Sequence, residues 1–250
     1  MIFNDKVVVV TGASSGIGAS IAIKFAEQGA KVAIVGRKVD KLNNVALKCG
    51  APLVIVADVS NDADCKRIVN ETIAHFGQLD ILINNAGVSG SASIRADHAM
   101  QVFDHVMATN LRSAVYITHL AAEHLIKTRG NIINISSIAS MHVLTDQIFS
   151  YNTSKAAMDH FTRSVASELA SSGVRVNSVN PGPVRTDIIL NSGVSEAHSD
   201  AVWEMLREST ALGRLSEPEE VADLVLFLAS CKFTHFLSQV LVLLESTKSL

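Results

Sequence analysis

The apolar residues of this chain fall into short, nearly continuous runs separated by longer amphipathic stretches. Seven runs have strand length: Val7–Val10, Val32–Val35, Leu53–Val56, Ile81–Ile83, Ile132–Ile135, Val174–Val179 and Val240–Leu243. Several are β-branched throughout rather than alternating with polar residues, the pattern of parallel strands covered on both faces. Between them the spacing turns helical. Ile17, Ile21 and Phe25 recur every four residues, and Met158, Phe161, Val165 and Leu169 form a second stripe. Asn61 or Asp62 is placed to cap a helix running to His75. Glu217-Pro218-Glu219-Glu220 reads as an acidic, proline-assisted start for a helix ending near Ala229. Strands alternating with helices predict right-handed βαβ units and an α/β fold: a doubly wound, mainly parallel seven-stranded sheet with helices on both faces. No linker, repeat or low-complexity tract interrupts the pattern, so residues 1–250 read as a single domain.

Composition narrows the class. A chain of 250 residues, 48% hydrophobic and 18% charged, buries a sizeable core and is not disordered. A net charge of -3 offers no basic face for nucleic acid. The mean hydropathy of +0.30 raises the question of membrane spans. The charge-free runs are broken by Gly, Ser, Thr and Asn, and Phe233–Leu244 is too short to cross a bilayer. Met1–Lys6 lacks the basic start and apolar core of a signal peptide. Cys49, Cys65 and Cys231 have no paired spacing, which fits a reducing compartment. The expectation is a cytoplasmic protein.

Candidate chemistry begins where the first run meets Thr11-Gly12-Ala13-Ser14-Ser15-Gly16-Ile17-Gly18, at the start of a helix. Glycines there permit a tight turn and close backbone approach to a pyrophosphate, while the helix N-terminus offers unpaired N–H groups. After the second run, an acidic residue would bind the ribose 2′-hydroxyl of NAD. Gly36-Arg37-Lys38 stands there instead. Arg37 and Lys38, with the Ser14 hydroxyl, suit a 2′-phosphate and favour NADP over NAD, though both cations could simply solvate a helix start. Tyr151 and Lys155 lie four apart, on one face of a helix. An ammonium beside a phenol lowers its pKa from near ~10 toward the range of acid/base catalysis. The other tyrosine, Tyr116, sits in an apolar helical run and reads as core. The histidine pairs His98/His105 and His119/His124 lack ligand spacing and no cysteine pair joins them, so no metal is expected.

Taken together, Gly12/Gly16/Gly18, Asn84-Asn85-Ala86-Gly87, Ser137, Tyr151/Lys155 and Pro181-Gly182-Pro183-Val184-Arg185-Thr186 resemble the short-chain dehydrogenase/reductase family from about Lys6 to Ala229. The resemblance implies a Rossmann-type fold and an oxidoreductase of carbonyl or secondary alcohol groups. It implies that Tyr151 is the acid/base, that Ser137 holds the substrate oxygen, and that Lys155 lowers the Tyr151 pKa and binds the nicotinamide ribose. Asn110 would position a water linking Lys155 to solvent, or serve its own helix near a kink. Gly12, Ser14, Ser15, Gly16, Ile17 and Gly18 would cradle the pyrophosphate, Asp58 and Val59 would contact the adenine, and Asn85, Ala86 and Gly87 would line the cleft. Pro181, Gly182, Val184 and Thr186 would hold the carboxamide end. Ser136 offers the same hydroxyl as Ser137, and the fourteen-residue spacing to Tyr151 favours Ser137. Asp58 alternatively caps a turn.

The chain departs from the family near its end. Glycine is missing on both sides of Val240–Leu243, where His235–Gln239 precedes and Leu243–Ser246 follows. A homo-oligomer, dimer or tetramer, is expected, with dimer-of-dimers packing weakened. The substrate wall is assigned to Met141, His142, Val143, Leu144 and Phe149 and to a lid-like segment, 188–212, carrying Trp203, Met205 and Leu206. Apolar residues there suggest a steroid, isoprenoid or xenobiotic ketone, or else ordinary helix packing. Arg185 and Arg207 leave a 3-oxoacyl-thioester substrate open. A non-catalytic cofactor-sensing module is the contrasting reading, and it has no use for a complete Asn110, Ser137, Tyr151, Lys155 set.

Overall fold

The computed structural model describes residues 1–143, 145–191, 196–230 and 240–242. Seven strands form one sheet, β1 (Val7–Thr11), β2 (Lys31–Gly36), β3 (Leu53–Val56), β4 (Ile81–Asn84), β5 (Asn131–Ile135), β6 (Arg175–Asn180) and β7 (Val240–Val242). Their order is β3-β2-β1-β4-β5-β6-β7, and every pair is parallel. The predicted fold class and the strands of the sequence reading are thereby found.

The continuous apolar runs have a simple cause. Along β1, Val8 and Val10 pack toward one face while Val7 and Val9 pack toward the other, and all four are buried. The first face is covered by α1 (Gly16–Glu27), α2 (Val39–Lys48) and α9 (Pro218–Ala229), through Ile21, Phe25, Leu42, Val221 and Val225. The second is covered by α3 (Asp62–Phe76), α5 (Ser113–Thr128) and α6 (Phe149–Leu169), through Ile68, Ile117, Leu125 and Ala166. Burial on both faces removes any reason for polar positions within the strands. Asn61 caps α3, accepting from the Ala63 and Asp64 N–H groups, and Glu217 with Glu220 forms a capping box ahead of α9.

Two features place the site. The order reverses at β1, whose neighbours are β2 and β4, and this switch point opens a crevice at the carboxyl ends of the strands. The helical stretch before β5 is not uniform. It runs as α4 (Ala99–Met107), a π-helical turn (Ala108–Arg112) and α5, and Asn110 sits in the turn. After β6, α7 (Ile188–Asn191) and α8 (Glu196–Ser209) come over the crevice.

Tyr116 packs against the edge of the second core, half-buried, stacked near His119 with Arg112 5.7 Å from its ring centroid. Cys49 and Cys65 are free thiols, each pushed up to about 11, chiefly by burial. Cys231, Leu144 and the tail positions His235–Gln239 and Leu243–Ser246 lie outside the described residues.

Candidate active site

A cavity of about 520 Å³ lies along the carboxyl edge of the sheet. At its centre is the β1–α1 turn. Gly12 has φ +67°, and a Cβ there would come within 2.8 Å of the Ala86 Cα. A Cβ on Gly18 would sit 2.4 Å from the Gly12 carbonyl oxygen, so the helix can start only where glycine stands. The turn is pinned to the end of β4. Thr11 Oγ1 accepts from the Asn85 and Ala86 N–H groups at 3.0 and 3.1 Å, and Asn85 Nδ2 donates to the Thr11 carbonyl at 2.8 Å.

This cradle fits a dinucleotide phosphate. The N-cap Ser15 makes no side-chain cap bond, and the first turn of α1 carries no acidic residue, so the helix presents its N-terminal N–H groups and positive potential to the cavity. Ser14, Ser15, Gly16 and Ile17 line it directly. Beyond β2, Arg37 and Lys38 line the same cavity. Arg37 Nη1 stands 3.5 Å from Asp58 Oδ2 with both side chains exposed, and Lys38 donates to Asn191 Oδ1 at 2.9 Å. Asp58 also serves its own turn, as the alternative reading had it. Its Oδ1 accepts from the Ser60 N–H at 3.0 Å and the Ser60 hydroxyl at 2.8 Å. Burial opposes the charge, yet those bonds and Arg37 hold the carboxyl below the usual carboxylate range.

The other arm of the cavity holds the polar trio. Tyr151 and Lys155 lie one turn apart on α6, with the Lys155 Nζ 5.6 Å from the Tyr151 ring centroid. The Tyr151 hydroxyl lies beside Ser137, whose hydroxyl accepts from the Ala139 N–H at 3.1 Å. The neighbouring Ser136 hydroxyl is spent on the Lys155 carbonyl at 3.2 Å, which leaves Ser137 as the hydroxyl beside Tyr151. Lys155 is buried and donates to the Ile135 carbonyl at 2.8 Å.

The electrostatics differ from the sequence expectation. Burial pushes Lys155 down to about 8, with Asp159 acting against the shift, while burial pushes Tyr151 up and Ser137 partly offsets it. The phenol therefore lies above its ordinary value here, where the sequence predicts a lowered one. Asn110 has a structural role at the π-helical turn. Its Oδ1 accepts from the Val88 N–H at 2.8 Å, and its Nδ2 donates to the Val88 carbonyl and the Ser154 hydroxyl at 2.9 and 3.0 Å. The side chain thus straps the π-helical turn to the Val88 backbone and to α6, and it is not among the groups lining the cavity.

All the other catalytic and cofactor residues expected from the sequence line this one cavity, including Val59, Gly87, Pro181, Gly182, Val184 and Thr186. A match to the family model for enoyl-(acyl carrier protein) reductase spans residues 12–243. L-fucose dehydrogenase from Bos taurus is 36% identical over 231 residues, 91% of this chain and 84% of that protein. The chain belongs to the short-chain dehydrogenase/reductase family. A solved short-chain dehydrogenase/reductase of unknown function from Caenorhabditis elegans, crystallised with cofactor, superposes with a TM-score of 0.90. The two are 32% identical, with 97% of this chain and 95% of that one covered. An 11-beta-hydroxysteroid dehydrogenase-like 2 protein from Arabidopsis thaliana is 40% identical over 188 residues, covering 73% of this chain and 60% of that protein. As a member of this family the protein is an oxidoreductase of CH–OH and C=O groups that uses a nicotinamide cofactor.

The substrate end of this short-chain dehydrogenase is built differently from the sequence assignment. Trp203, Met205 and Leu206 line the cavity as expected, joined by Ile188, Ile189 and Val202. Met141, His142 and Val143 are exposed and do not, because the 3-10 turn Ile138–Ser140 carries the chain away from the cavity. Ile138, Ala139 and Ile148 take their place. Phe149 stacks on Phe103 at 6.3 Å and faces a neighbouring hollow. Ser89, Ser91, Thr145 and Asp146 add a polar side that sequence reasoning missed. Ser89 and Ser91 directly follow the Asn84–Gly87 motif, the one signal that pointed there. Arg185 pairs with Asp200 and Arg207 with Glu204, both off the cavity. Among the described residues no helix is long and apolar enough to cross a membrane.

Proposed function

We propose that this protein is an NADP(H)-dependent carbonyl reductase or secondary alcohol dehydrogenase with Tyr151 as its acid/base. The observation that carries the reading is the convergence of Ser137, Tyr151 and Lys155 on the cavity that also holds the glycine turn and Arg37. The nicotinamide, when bound, supplies or accepts the hydride. Burial keeps Tyr151 protonated at neutral pH, the state needed to give a proton to a carbonyl oxygen. Ser137 adds a second hydrogen bond to that oxygen as negative charge develops on it. Lys155, fixed by the Ile135 carbonyl, is the group placed to hold the ribose hydroxyls. Gly12 to Gly18 cradle the pyrophosphate, Asp58 and Val59 flank the adenine, and Val184 with Thr186 holds the carboxamide. Arg37 and Lys38 take the 2′-phosphate. Support for NADP is the pair of cations at the end of β2, where a carboxylate would repel that phosphate.

The substrate is a hydrophobic ketone or alcohol, supported by the apolar wall of Trp203, Leu206, Ile188 and Ile148, with segment 188–212 as its cover. A hydroxylated substrate is the second reading. Ser91, Thr145 and Asp146 favour it, as does the likeness to L-fucose dehydrogenase. The active unit is a homo-oligomer, dimer or tetramer, for which light scattering is the test. A panel of apolar ketones, steroids and free sugars, followed at the NADPH absorbance with NADH alongside, tests the whole reading. Turnover with NADPH and an apolar ketone is expected; preference for NADH overturns the cofactor assignment, and turnover of sugars alone overturns the substrate class.

A further inference from the structure

One buried ionisable group has no part in the chemistry above. Asp159 lies one turn after Lys155 on the same face of α6, and each is only 4% exposed. Its Oδ2 accepts from Asn180 Nδ2 at 2.7 Å, while its Oδ1 has no hydrogen-bond partner among the described residues. A buried carboxylate satisfied on one oxygen costs stability, and an apolar or amide side chain would fill the place more cheaply. The Asn180 amide does more than hold it. The same Nδ2 lies 3.2 Å from the Ser137 carbonyl and 2.9 Å from the Ser140 hydroxyl. Asn180 Oδ1 is fixed in turn by the Ser178 hydroxyl at 3.2 Å. Asn180 ends β6, immediately before Pro181 and Gly182 of the cavity wall.

We propose that Asp159 is a positioning residue for the reaction: its charge keeps Lys155 protonated, and through Asn180 it anchors the strand end that carries Ser137. The inference rests on the roles proposed for Ser137, Tyr151 and Lys155. Burial alone drives Lys155 toward neutrality, and Asp159 is the charged group that opposes it. The other charges on elements packed against α6 are engaged elsewhere or face solvent. Arg112 of the π-helical turn is paired with Asp62, and Arg175 of β6 is bound to the Leu228 and Ala229 carbonyls. Asp104 and His105 of α4 are exposed, and the Ile138–Ser140 turn carries no charge.

The test is the pH profile of NADPH-dependent reduction by wild type, Asp159→Asn, Asn180→Ser and Tyr151→Phe. Asp159→Asn keeps the shape of the side chain and removes its charge. Its alkaline limb is expected to move down by about one pH unit, costing about tenfold in kcat above the limb and little at acidic pH. Asn180→Ser leaves the carboxylate but cuts its tie to Ser137; kcat is expected to fall about tenfold with KM nearly unchanged. A merely structural role lowers activity evenly across pH, and an unmoved limb in Asp159→Asn overturns the charge assignment. Should Asp159→Asn not fold, an Asn180→Ser enzyme with wild-type kcat overturns the anchoring. An active Tyr151→Phe enzyme sinks the underlying mechanism instead, which separates the two failures.

Discussion

Lys41 of α2 is ion-paired with Asp187, which stands just ahead of α7 and lines the cavity. The Lys41 bond is the main cause holding that carboxyl below its ordinary range, and the nearby Ser15 of the phosphate cradle acts in the same direction. A carboxylate this close to the cradle repels a pyrophosphate unless a cation compensates it. Lys41→Met should therefore weaken NADPH binding by about threefold to tenfold, the size of one partly screened charge. Asp187→Asn in the same chain should restore it. Fluorescence titration of NADPH against the three proteins reads both effects, and additive losses would show that the pair is not coupled.

Arg37 is the residue on which the proposed NADP preference turns. Its 3.5 Å approach to Asp58 is long for a forked pair, and both groups are half exposed, so the guanidinium is free to re-aim at little cost. Arg37→Ala should lower NADPH affinity by about tenfold to a hundredfold and leave NADH affinity within about twofold. The difference should shrink as ionic strength rises, because the site is open to solvent. Equal losses for both dinucleotides would place Arg37 away from the 2′-phosphate.

Tyr151→Phe keeps the ring that fills the wall and removes only the hydroxyl. Turnover should drop by about a thousandfold or more, with NADPH affinity within about twofold of wild type. Ser137→Ala should cost about a hundredfold in kcat, since it removes one of two hydrogen bonds to the developing oxyanion. Stopped-flow hydride transfer separates both from slow product release.

What was legible in the sequence follows the range of the interactions. Tyr151 and Lys155 were readable because helical geometry alone sets them on one face, and β1 with its glycine turn because strand, turn and helix are consecutive. The Asn110 strap was not, since its partners Val88 and Ser154 come from two other segments. Asn180 and Asp159 were missed for the same reason: each looks like an ordinary polar residue until β6 and α6 pack together. Met141, His142 and Val143 were placed on the wall because no periodicity in that loop tells which way the chain turns. Nor does the four-residue spacing show that both Tyr151 and Lys155 are buried, which pushes the phenol up and the ammonium down.

Lys155 also makes the site a source of instability. With a folded pKa of about 8 against 10.5 for an ordinary lysine, the charged form is disfavoured by about 3 kcal/mol in the folded chain. Between those two values the unfolded chain holds a proton that the folded protein has released, so stability from this group rises with pH across that window and the whole cost is present below pH 8. Lys155→Met preserves length and apolar character while removing the charge. It orphans the Ile135 carbonyl, which recovers part of the cost. The variant should be inactive yet more stable than the ligand-free wild type at pH 7 by about 1–2 kcal/mol, with the advantage fading as pH rises above 8. Urea unfolding at pH 7 and pH 9.5 measures it. A variant less stable than wild type at pH 7 would mean that the Lys155 bonds outweigh the burial of its charge.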